Sequence, residues 1–324
     1  MEVVIVRFGL IGCGDIAHKR VAPALRDSQI CKLVAVSRAR SQLAETFARE
    51  FGVPRWYADW RELLNDDDID AIYVATPVHL HAEQTIAALD AGKHVLCEKP
   101  MALNVAECDQ MIAARNRNKL KLGVAYYRHF YPVIARCKQI INDGEIGTPV
   151  VAQMNAFEWF DPAANHPRSW LLNKQLSGGG PMFDFGCHRI EVLLDLFGAA
   201  VELKAISSNQ FFHREVEDIA TVIINFEQGT IATLTVAHSA QHPQDTFDIF
   251  GSEGSIHIPV LNEEKLRVIT EAGEREEFHP ASPNLHQPLI DDFARAVMEN
   301  REPLVDGEIG LAVARIEEAI ISPI

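Results

Sequence analysis

The stretch Arg7-Phe-Gly-Leu-Ile-Gly-Cys-Gly-Asp-Ile-Ala17 decides the fold of this chain. Its first half is apolar, as in a buried strand, and ends at Gly12; its second half has the spacing Gly-x-Gly-x-x-Ala and opens a helical pattern. In such a strand–turn–helix unit the first glycine permits the tight turn and the second lets a pyrophosphate approach the backbone, while the small Ala17 lets the helix pack on the sheet. The sequence predicts a dinucleotide site whose phosphates lie beside Gly12, Gly14, Asp15 and Ile16.

Strands and single helices alternate on both sides of this stretch up to residue 125. The pattern predicts further strands at 32–36, 70–75, 94–97 and 121–125, and helices at 16–27, 41–51, 79–91 and 105–118. Asn104 and Glu107 have the spacing of a capping box at the start of the last helix. This alternation is typical of an α/β Rossmann domain, here 1–125, with a parallel sheet covered by helices on both faces. Ligands of such sheets bind beyond the carboxyl ends of the strands. We therefore expect one site to collect the strand-ending turns at Gly12, Ser37, Thr76, Glu98 and Tyr126.

The pattern changes in the remainder, 126–324. Strand-like segments follow one another with few helices between them, and hairpin signals separate several of them. They lie at 150–157, 201–209, 219–226, 230–237, 246–250, 255–258 and 265–269, before two helical segments at 288–299 and 307–321. The second domain is therefore predicted to be α+β, with a large open antiparallel sheet.

Composition excludes several classes of function. The 324 residues include 30 basic and 45 acidic side chains, a formal charge of −15, which disfavours nucleic acid and anionic membranes as partners. The apolar start, residues 1–6, lacks a basic flank and predicts a strand rather than a secretion signal. The six cysteines are scattered, which favours reduced thiols in the cytoplasm. We predict no metal, because no group of residues has the spacing of metal ligands.

The end of the second predicted strand indicates which dinucleotide binds. Enzymes that use NAD usually carry an Asp or Glu there, which binds the ribose 2′-hydroxyl. This chain has Ser37-Arg38 instead. A guanidinium can bind a 2′-phosphate through paired charge-assisted hydrogen bonds. NADP is therefore predicted to be preferred to NAD; the alternative is that Arg38 is only a solvated surface charge.

Two further motifs establish a resemblance. One is Ala75-Thr-Pro-Val-His-Leu-His81 followed by Ala91-Gly-Lys-His-Val-Leu-Cys-Glu-Lys-Pro100, and the other is Gly178-Gly-Gly-Pro-Met-Phe-Asp-Phe-Gly-Cys-His188. Together with the glycine turn, they resemble the Gfo/Idh/MocA family of glucose–fructose oxidoreductase and inositol dehydrogenase. The resemblance implies a Rossmann domain followed by an open antiparallel sheet through which members oligomerise, here as a homodimer or homotetramer. It also implies that Lys99, Asp184 and His188 are catalytic.

The chemistry of these three residues agrees with the resemblance. A lysine at a strand end can hydrogen-bond the reacting oxygen and favour a developing alkoxide. An imidazole can take the hydroxyl proton as the hydride leaves, or return it in reduction. If the segment around Gly186 is helical, Asp184 shares a face with His188 and can orient its ring. The triple glycine Gly178–Gly180 predicts a loop that can approach a cofactor closely.

The resemblance extends to other positions with less force. It implies further cofactor contacts by Thr76, Pro77, His81, Glu98, Arg128 and Trp170. Many relatives carry Arg after that tryptophan, whereas this chain has Leu171, which weakens any transfer of substrate. Candidate specificity residues are Trp159, Asn165, His166 and Arg168, and the loop at 278–287 is a candidate lid.

The sequence thus predicts an oxidoreductase that transfers a hydride between NAD(P) and a secondary alcohol or ketone of a sugar, polyol or cyclic diol. Two alternatives use the same fold: a non-catalytic NAD(P)-binding regulator, and a glycosidase or eliminase that retains NAD. Both Lys99 and His188 are present, which argues against the regulator. Ser37-Arg38 argues against tightly retained NAD.

Overall fold

The computed structural model describes residues 5–321 and divides into two compact units. The first unit runs up to Tyr127 and includes Ser282–Ala314; the second comprises Arg128–Ala281 and the residues from Arg315 on. The sequence pattern predicts a boundary after residue 125 and places 282–314 in the second domain, whereas in the structure this segment belongs to the first unit. Of the strand predicted at residues 1–6, residues 1–4 lie outside the described part. No helix within residues 5–321 has the length and apolarity needed to span a bilayer.

The first unit contains the predicted parallel sheet. Its strands are β1 (Val6–Ile11), β2 (Cys31–Ser37), β3 (Arg55–Tyr57), β4 (Ala71–Val74), β5 (His94–Cys97) and β6 (Leu122–Val124). They lie in the order β3-β2-β1-β4-β5-β6, and every neighbouring pair is parallel. The order reverses beside β1, where open α/β sheets bind their ligands. The fold predicted for 1–125 is confirmed.

Helices connect these strands. They are α1 (Ala22–Asp27), which follows a π-helical segment at Ala17–Val21, α2 (Ser41–Phe51), α3 (Trp60–Leu64), α4 (His81–Asp90) and α5 (Val105–Asn118). The predicted capping box of α5 is present, because Asn104 Oδ1 accepts the N–H of Glu107 at 2.9 Å. The reciprocal bond differs by one residue, since Glu107 Oε2 accepts the N–H of Leu103 at 3.1 Å.

The late segment of the chain packs on this sheet through α9 (Gln287–Glu299). The ring of Phe293 lies 6.1 Å from that of Phe8 on β1. It also comes so close to Gly123 on β6 that a Cβ there would lie 2.9 Å from the ring. Helical periodicity predicts that a helix has an apolar face but not which sheet covers that face. The sequence pattern therefore could not predict that residues 282–314 pack on the first sheet. The last helix is α10 (Gly307–Ile321).

The second unit contains an eight-stranded sheet. Its strands are β7 (Pro149–Trp159), β8 (Ala200–Ser208), β9 (Ile219–Phe226), β10 (Ile231–Ala237), β11 (Ser239–Gly251), β12 (Gly254–Ile258), β13 (Lys265–Thr270) and β14 (Gly273–Phe278). Their order is β14-β13-β12-β11-β7-β10-β9-β8. The prediction of an antiparallel sheet needs one correction, because β10 and β7 are parallel. The alternation of apolar and polar residues predicts a strand, but it does not predict whether the neighbouring strand runs parallel or antiparallel.

One face of this sheet is covered by helices and the other is not. The helices of the unit are α6 (Pro132–Asn142), α7 (Lys174–Ser177) and α8 (Cys187–Phe197). On β10, Ala232, Leu234 and Val236 are buried, whereas Ile231 on the opposite face is 47% exposed. Ile231 pairs with Val151, and Val151 pairs with Phe250, so an apolar row crosses three neighbouring strands on the uncovered face.

Candidate active site

The turn after β1 requires glycine at its first position. Gly12 has a φ of +99°, and a Cβ there would lie 2.6 Å from the carbonyl oxygen of Ala75, just after β4. The N–H of Gly12 donates to the carbonyl of Ser37, at the end of β2, at 2.9 Å. A Cβ at Gly14, by contrast, would meet no described atom within 4 Å. The first glycine thus ties neighbouring strand ends together, and the second leaves the space beside the backbone that a pyrophosphate needs.

The residues after the turn begin the helix. Ile16 is half-buried immediately before the π-helical segment, and Asp15 is exposed. The Asp15 carboxylate pairs with Lys19 Nζ at 2.8 Å, which offsets its charge near a predicted phosphate site. Their contacts with a cofactor stay predictions.

Arg38 lies against the glycine turn. Its Nη1 donates to the carbonyl oxygen of Cys13 at 2.7 Å, while the preceding Ser37 is buried. A guanidinium has five N–H donors, more than this one bond uses. The charge of Arg38 is therefore held beside the turn, which argues against a wholly solvated side chain.

His81 joins the ends of β4 and β5. Its Nε2 lies 2.8 Å from the carbonyl oxygen of Thr76, and its Nδ1 lies 2.9 Å from that of Pro100. Burial lowers the pKa of His81, although the two carbonyls oppose the shift. The neutral ring can donate to one carbonyl at a time. His81 thus holds together two turns that were predicted to face the cofactor, and Thr76 Oγ1 is fixed by Gln84 Oε1 at 2.6 Å.

The Glu98-Lys99-Pro100 turn is supported from inside the first unit. Tyr73 donates its hydroxyl to Glu98 Oε1 at 2.8 Å, and His286 Nε2 lies 3.4 Å from the same oxygen. The other oxygen accepts the N–H of Lys99 at 3.3 Å. Burial alone would raise the pKa of Glu98, but His286 and Tyr73 outweigh it and the pKa is lowered. An ionised Glu98 therefore lies directly behind Lys99.

The carboxylate of Glu98 is engaged within the unit, and its contact with the cofactor stays a prediction. His286 was not singled out, because only the return of 282–314 brings it to the sheet. The peptide bond between Lys99 and Pro100 is cis.

In the second unit, the glycine loop approaches protein rather than open space. A Cβ on Gly180 would lie 2.1 Å from the carbonyl oxygen of Glu217, and one on Gly179 would lie 2.4 Å from the Phe183 ring. The buried Glu217 accepts the N–H of Gly180 at 2.8 Å and that of Met182 at 3.3 Å. Gly179 and Gly180 thus pack against protein, and sequence reasoning missed Glu217 as their partner. A close approach of the loop to a cofactor stays a prediction.

Asp184 and His188 lie on one continuous helical stretch. Asp184 is in the π-helical segment Met182–Gly186, and His188 is in α8, which follows without a break. The helix on which their shared face depended is therefore present. His188 is 2% exposed. Asp184 Oδ2 accepts a hydrogen bond from Arg168 Nη2 at 2.7 Å, so one candidate specificity residue contacts a predicted catalytic carboxylate.

The remaining predicted residues occupy different surroundings. Arg128 is buried in the short helical turn Tyr127–Phe130, and Trp170 is half-buried in the turn Ser169–Leu172. Trp159 is 45% exposed and packs on the rings of Phe211 and Phe212. The structure thus brings Arg168 to Asp184 but leaves Trp159 at the surface. Asn165 and His166 are also exposed, and Thr76 and Pro77 lie at the end of β4.

One cluster in the described part of the chain has donor atoms close enough for a metal ion. Single ligand atoms of Glu158, Asp184 and His238 all lie within 4.8 Å of one another. Spacing along the sequence does not reveal the cluster, since its members lie on three separate segments. The guanidinium of Arg168 lies on Asp184 and disfavours a second cation there. The absence of a metal stays a prediction.

The fold and these groups define an oxidoreductase that binds a nicotinamide dinucleotide on a Rossmann domain. Residues 6–126 match the profile described as "Oxidoreductase family, NAD-binding Rossmann fold", and residues 134–257 match the GFO/IDH/MocA C-terminal domain. The chain belongs to the Gfo/Idh/MocA family, as the sequence motifs predicted.

Relatives cover nearly the whole chain. A 1,5-anhydro-D-fructose reductase from Ensifer adhaerens is 31% identical over 310 residues, which are 94% of this chain and 92% of that protein. A D-xylose 1-dehydrogenase [NADP(+)] from Haloarcula marismortui is 27% identical, covering 94% and 87%. A solved structure of levoglucosan dehydrogenase with NADH and levoglucosan has a TM-score of 0.87 and 27% identity, covering 98% of this chain and 96% of that one. The predictions of an enzyme and of a nicotinamide cofactor are confirmed.

Proposed function

We propose that the enzyme transfers a hydride between a nicotinamide dinucleotide, preferably NADP, and a secondary alcohol or ketone of a sugar, polyol or cyclic diol. The observation that carries the proposal is the convergence of functional turns at one sheet edge. Gly12, Arg38, Thr76 and Lys99 follow β1, β2, β4 and β5, which are adjacent parallel strands. This edge is where dinucleotides bind in doubly wound sheets.

Three side chains are assigned to the chemistry. Lys99 hydrogen-bonds the reacting oxygen, and its charge stabilises the alkoxide. His188 takes the hydroxyl proton in oxidation and returns it in reduction. Asp184, four residues earlier on the same helical stretch, orients the imidazole. The cofactor supplies the hydride acceptor or donor when it is bound.

The substrate class follows from the names of the relatives. They include a reductase of an anhydro sugar, a dehydrogenase of a pentose and a dehydrogenase of levoglucosan. All three names specify small polyhydroxylated compounds. Leu171 stands where the family resemblance implies Arg, so the particular sugar or polyol is left to a substrate panel.

We further propose a homodimer or homotetramer in the cytoplasm. The apolar row Ile231, Val151 and Phe250 lies on the uncovered face of the second sheet, which a second copy can cover. All six cysteines are buried and free, which suits a reducing compartment.

The central test compares Lys99→Met and His188→Ala with wild type on a panel of sugars and polyols, followed at the NADPH absorbance band. Each variant should lose at least about 100-fold in kcat, the lower end for acid–base and electrostatic groups. Binding of NADP, measured by calorimetry, should persist in both. Lys32→Met, an exposed lysine near the start of β2, is the control and should behave as wild type. Turnover that survives in either active-site variant would refute the assignment.

The preference for NADP has its own test. Arg38→Asp should raise the KM for NADP by at least about tenfold while changing that for NAD little, because a carboxylate repels a 2′-phosphate and accepts a 2′-hydroxyl. Arg38→Lys keeps the positive charge, so its KM for NADP should lie between those of wild type and Arg38→Asp. Equal changes for both cofactors would remove Arg38 from the site.

A further inference from the structure

A histidine outside the family motifs lies buried beside Asp184. His238 is fully buried between β10 and β11. Its backbone is fixed on both sides, since its N–H donates to Asp218 O at 2.8 Å and its carbonyl accepts the N–H of Phe160 at 2.9 Å. The ring is flanked by those of Phe160 and Phe185, at 4.9 and 5.3 Å. The backbone of His238 is therefore fixed, and two aromatic rings flank its imidazole.

The ring faces two carboxylates. Its Nε2 lies 3.5 Å from Asp184 Oδ2 and 3.6 Å from Glu158 Oε1. Within residues 5–321, both ring nitrogens and Glu158 Oε1 are buried without a hydrogen-bond partner. A buried polar atom that is left without a hydrogen-bond partner destabilises the folded state. Since a shift of less than about 1 Å would make either hydrogen bond, the geometry suits a proton that Nε2 shares between the two carboxylates.

Glu158 connects this cluster with the surface. Its Oε1 is buried, yet the side chain as a whole is 39% exposed. Burial raises the pKa of Glu158, and the charge of Asp184 raises it further, while His238, Arg168 and Arg189 oppose both. A carboxyl with a raised pKa can take up and release a proton closer to neutral pH.

The charged neighbours decide what the cluster can bind. The charges of Arg168 and of Arg189 on α8 lower the pKa of Glu158, and the charge of His238 lowers that of Glu217. Arg168 Nη2 donates to the same Asp184 oxygen that His238 Nε2 faces. A metal ion would have to share that oxygen with a guanidinium, whereas a proton on Nε2 need not displace it. The arrangement thus favours proton transfer over metal binding.

We propose that Asp184, His238 and Glu158 form a proton relay between the catalytic His188 and solvent, with His238 as its positioning residue. The proposal rests on the proposed function, in which His188 exchanges the hydroxyl proton. His188 itself is 2% exposed, so a proton that it receives needs a route outward.

The steps balance as follows for oxidation. The hydride leaves the substrate carbon with its electron pair for NADP⁺, and the hydroxyl proton goes to His188. His188 passes a proton to Asp184, Asp184 to His238 Nε2, and His238 to Glu158, which releases it to water. The net change is alcohol plus NADP⁺ to ketone plus NADPH and H⁺. Reduction runs the same route inward.

The kinetic test uses His238→Gln, His238→Ala and Glu158→Gln in the full-length enzyme, with the sugar or polyol that wild type oxidises in the panel. For the His238 variants we expect kcat to fall roughly 10–100-fold, with KM changed less than about threefold. Added imidazole should restore kcat of His238→Ala, which a purely structural defect would not allow. Glu158→Gln should flatten one limb of the plot of kcat against pH, because the amide cannot take up and release the proton. The control His257→Gln removes another histidine of the same sheet, paired with Asp248 at 2.6 Å, and should change none of these.

A second measurement needs no turnover. In protein labelled with ¹⁵N-histidine, the His238 ring signals are identified from His238→Gln, and their response to pH is compared between wild type and Glu158→Gln. They should move differently in Glu158→Gln. Identical titrations in both proteins, or a kcat that His238→Gln leaves unchanged, would overturn the relay. Failure of the whole substrate panel would instead refute the proposed function, and the titration would still decide the relay.

Discussion

At the scale of single residues, the glycine turn separates two roles that the motif merges. Gly12 is required by the protein itself, because its φ is positive and the Ala75 carbonyl leaves no room for a side chain. Gly14 has neither constraint, so we expect glycine at this position to serve the group that binds beside it. The two positions can therefore be distinguished by substituting the same small residue at each.

Gly12→Ala should lower the free energy of unfolding by about 2 kcal/mol or more, from backbone strain and the contact with Ala75. Gly14→Ala should leave thermal stability close to wild type but raise the Kd for NADP by at least about tenfold, since a methyl group would occupy the phosphate space. Thermal unfolding and calorimetric titration measure the two effects. Equal stability losses in both variants would contradict the distinction.

Sequence reasoning found the residues that lie in contiguous motifs. The motifs quoted for the family supplied Lys99, Asp184 and His188. Sequence reasoning missed Glu217, His238 and His286, because the importance of these residues depends on neighbours far along the chain. Glu217 becomes notable only because Gly180 packs against it, and His286 only because it faces Glu98. No local spacing carries that information.

At the scale of elements, strands and helices with a strong apolar pattern were predicted best. β5, β9 and α2 have the bounds that their patterns indicated, because long apolar runs and a terminal glycine such as Gly52 leave little choice. The sequence pattern did not indicate β3, α3, α6, α7 or β14. β14 reads Gly-Glu-Arg-Glu-Glu-Phe, and a charged edge strand of this kind carries almost no apolar signal.

An ion cluster attaches that edge strand to α6. Glu277 of β14 accepts hydrogen bonds from Arg136 Nε at 2.7 Å and Nη2 at 3.1 Å, with further donors from Arg275 and His279. Arg136 above all lowers the pKa of Glu277 to about 2. Because this value lies below the unfolded one, the cluster stabilises the protein above about pH 4.5, and its contribution is lost as the pH falls towards 2.

We therefore expect Glu277→Gln to be less stable than wild type at pH 7, and this difference to shrink as the pH falls to about 3, because protonation weakens the wild-type cluster. Urea unfolding at several pH values measures the difference. Glu276→Gln, the exposed neighbour on the same strand, is the control and should follow wild type at every pH. A gap between Glu277→Gln and wild type that is independent of pH would contradict the role of the charge.

At the scale of the whole molecule, the two units differ in how much of each sheet their own helices cover. The first sheet is covered on both faces by its own helices, whereas the second leaves one face with an apolar row. Exposed apolar patches of this kind usually mark a protein interface. Association of two such faces would bury the row without any change of fold.

Ile231→Glu should accordingly convert the proposed oligomer to monomers, because a carboxylate would be buried without a partner in the interface. Light scattering after size-exclusion chromatography gives the mass. Leu304→Glu, an equally exposed apolar residue of the first unit, should keep the wild-type mass. A wild-type enzyme that is already monomeric at micromolar concentration would refute the interface.

The return of Ser282–Ala314 to the first unit has a consequence for how the chain is made. A ribosome adds about 5–20 residues per second, so Phe293 and His286 emerge on the order of ten seconds or more after Tyr127. Until then the β1 surface beneath α9 stays bare, and Glu98 lacks one of its partners. The nucleotide-binding unit, although begun first, is complete only after residues 282–314 have been made, and the nascent polypeptide cannot hold its cofactor in the completed form before then.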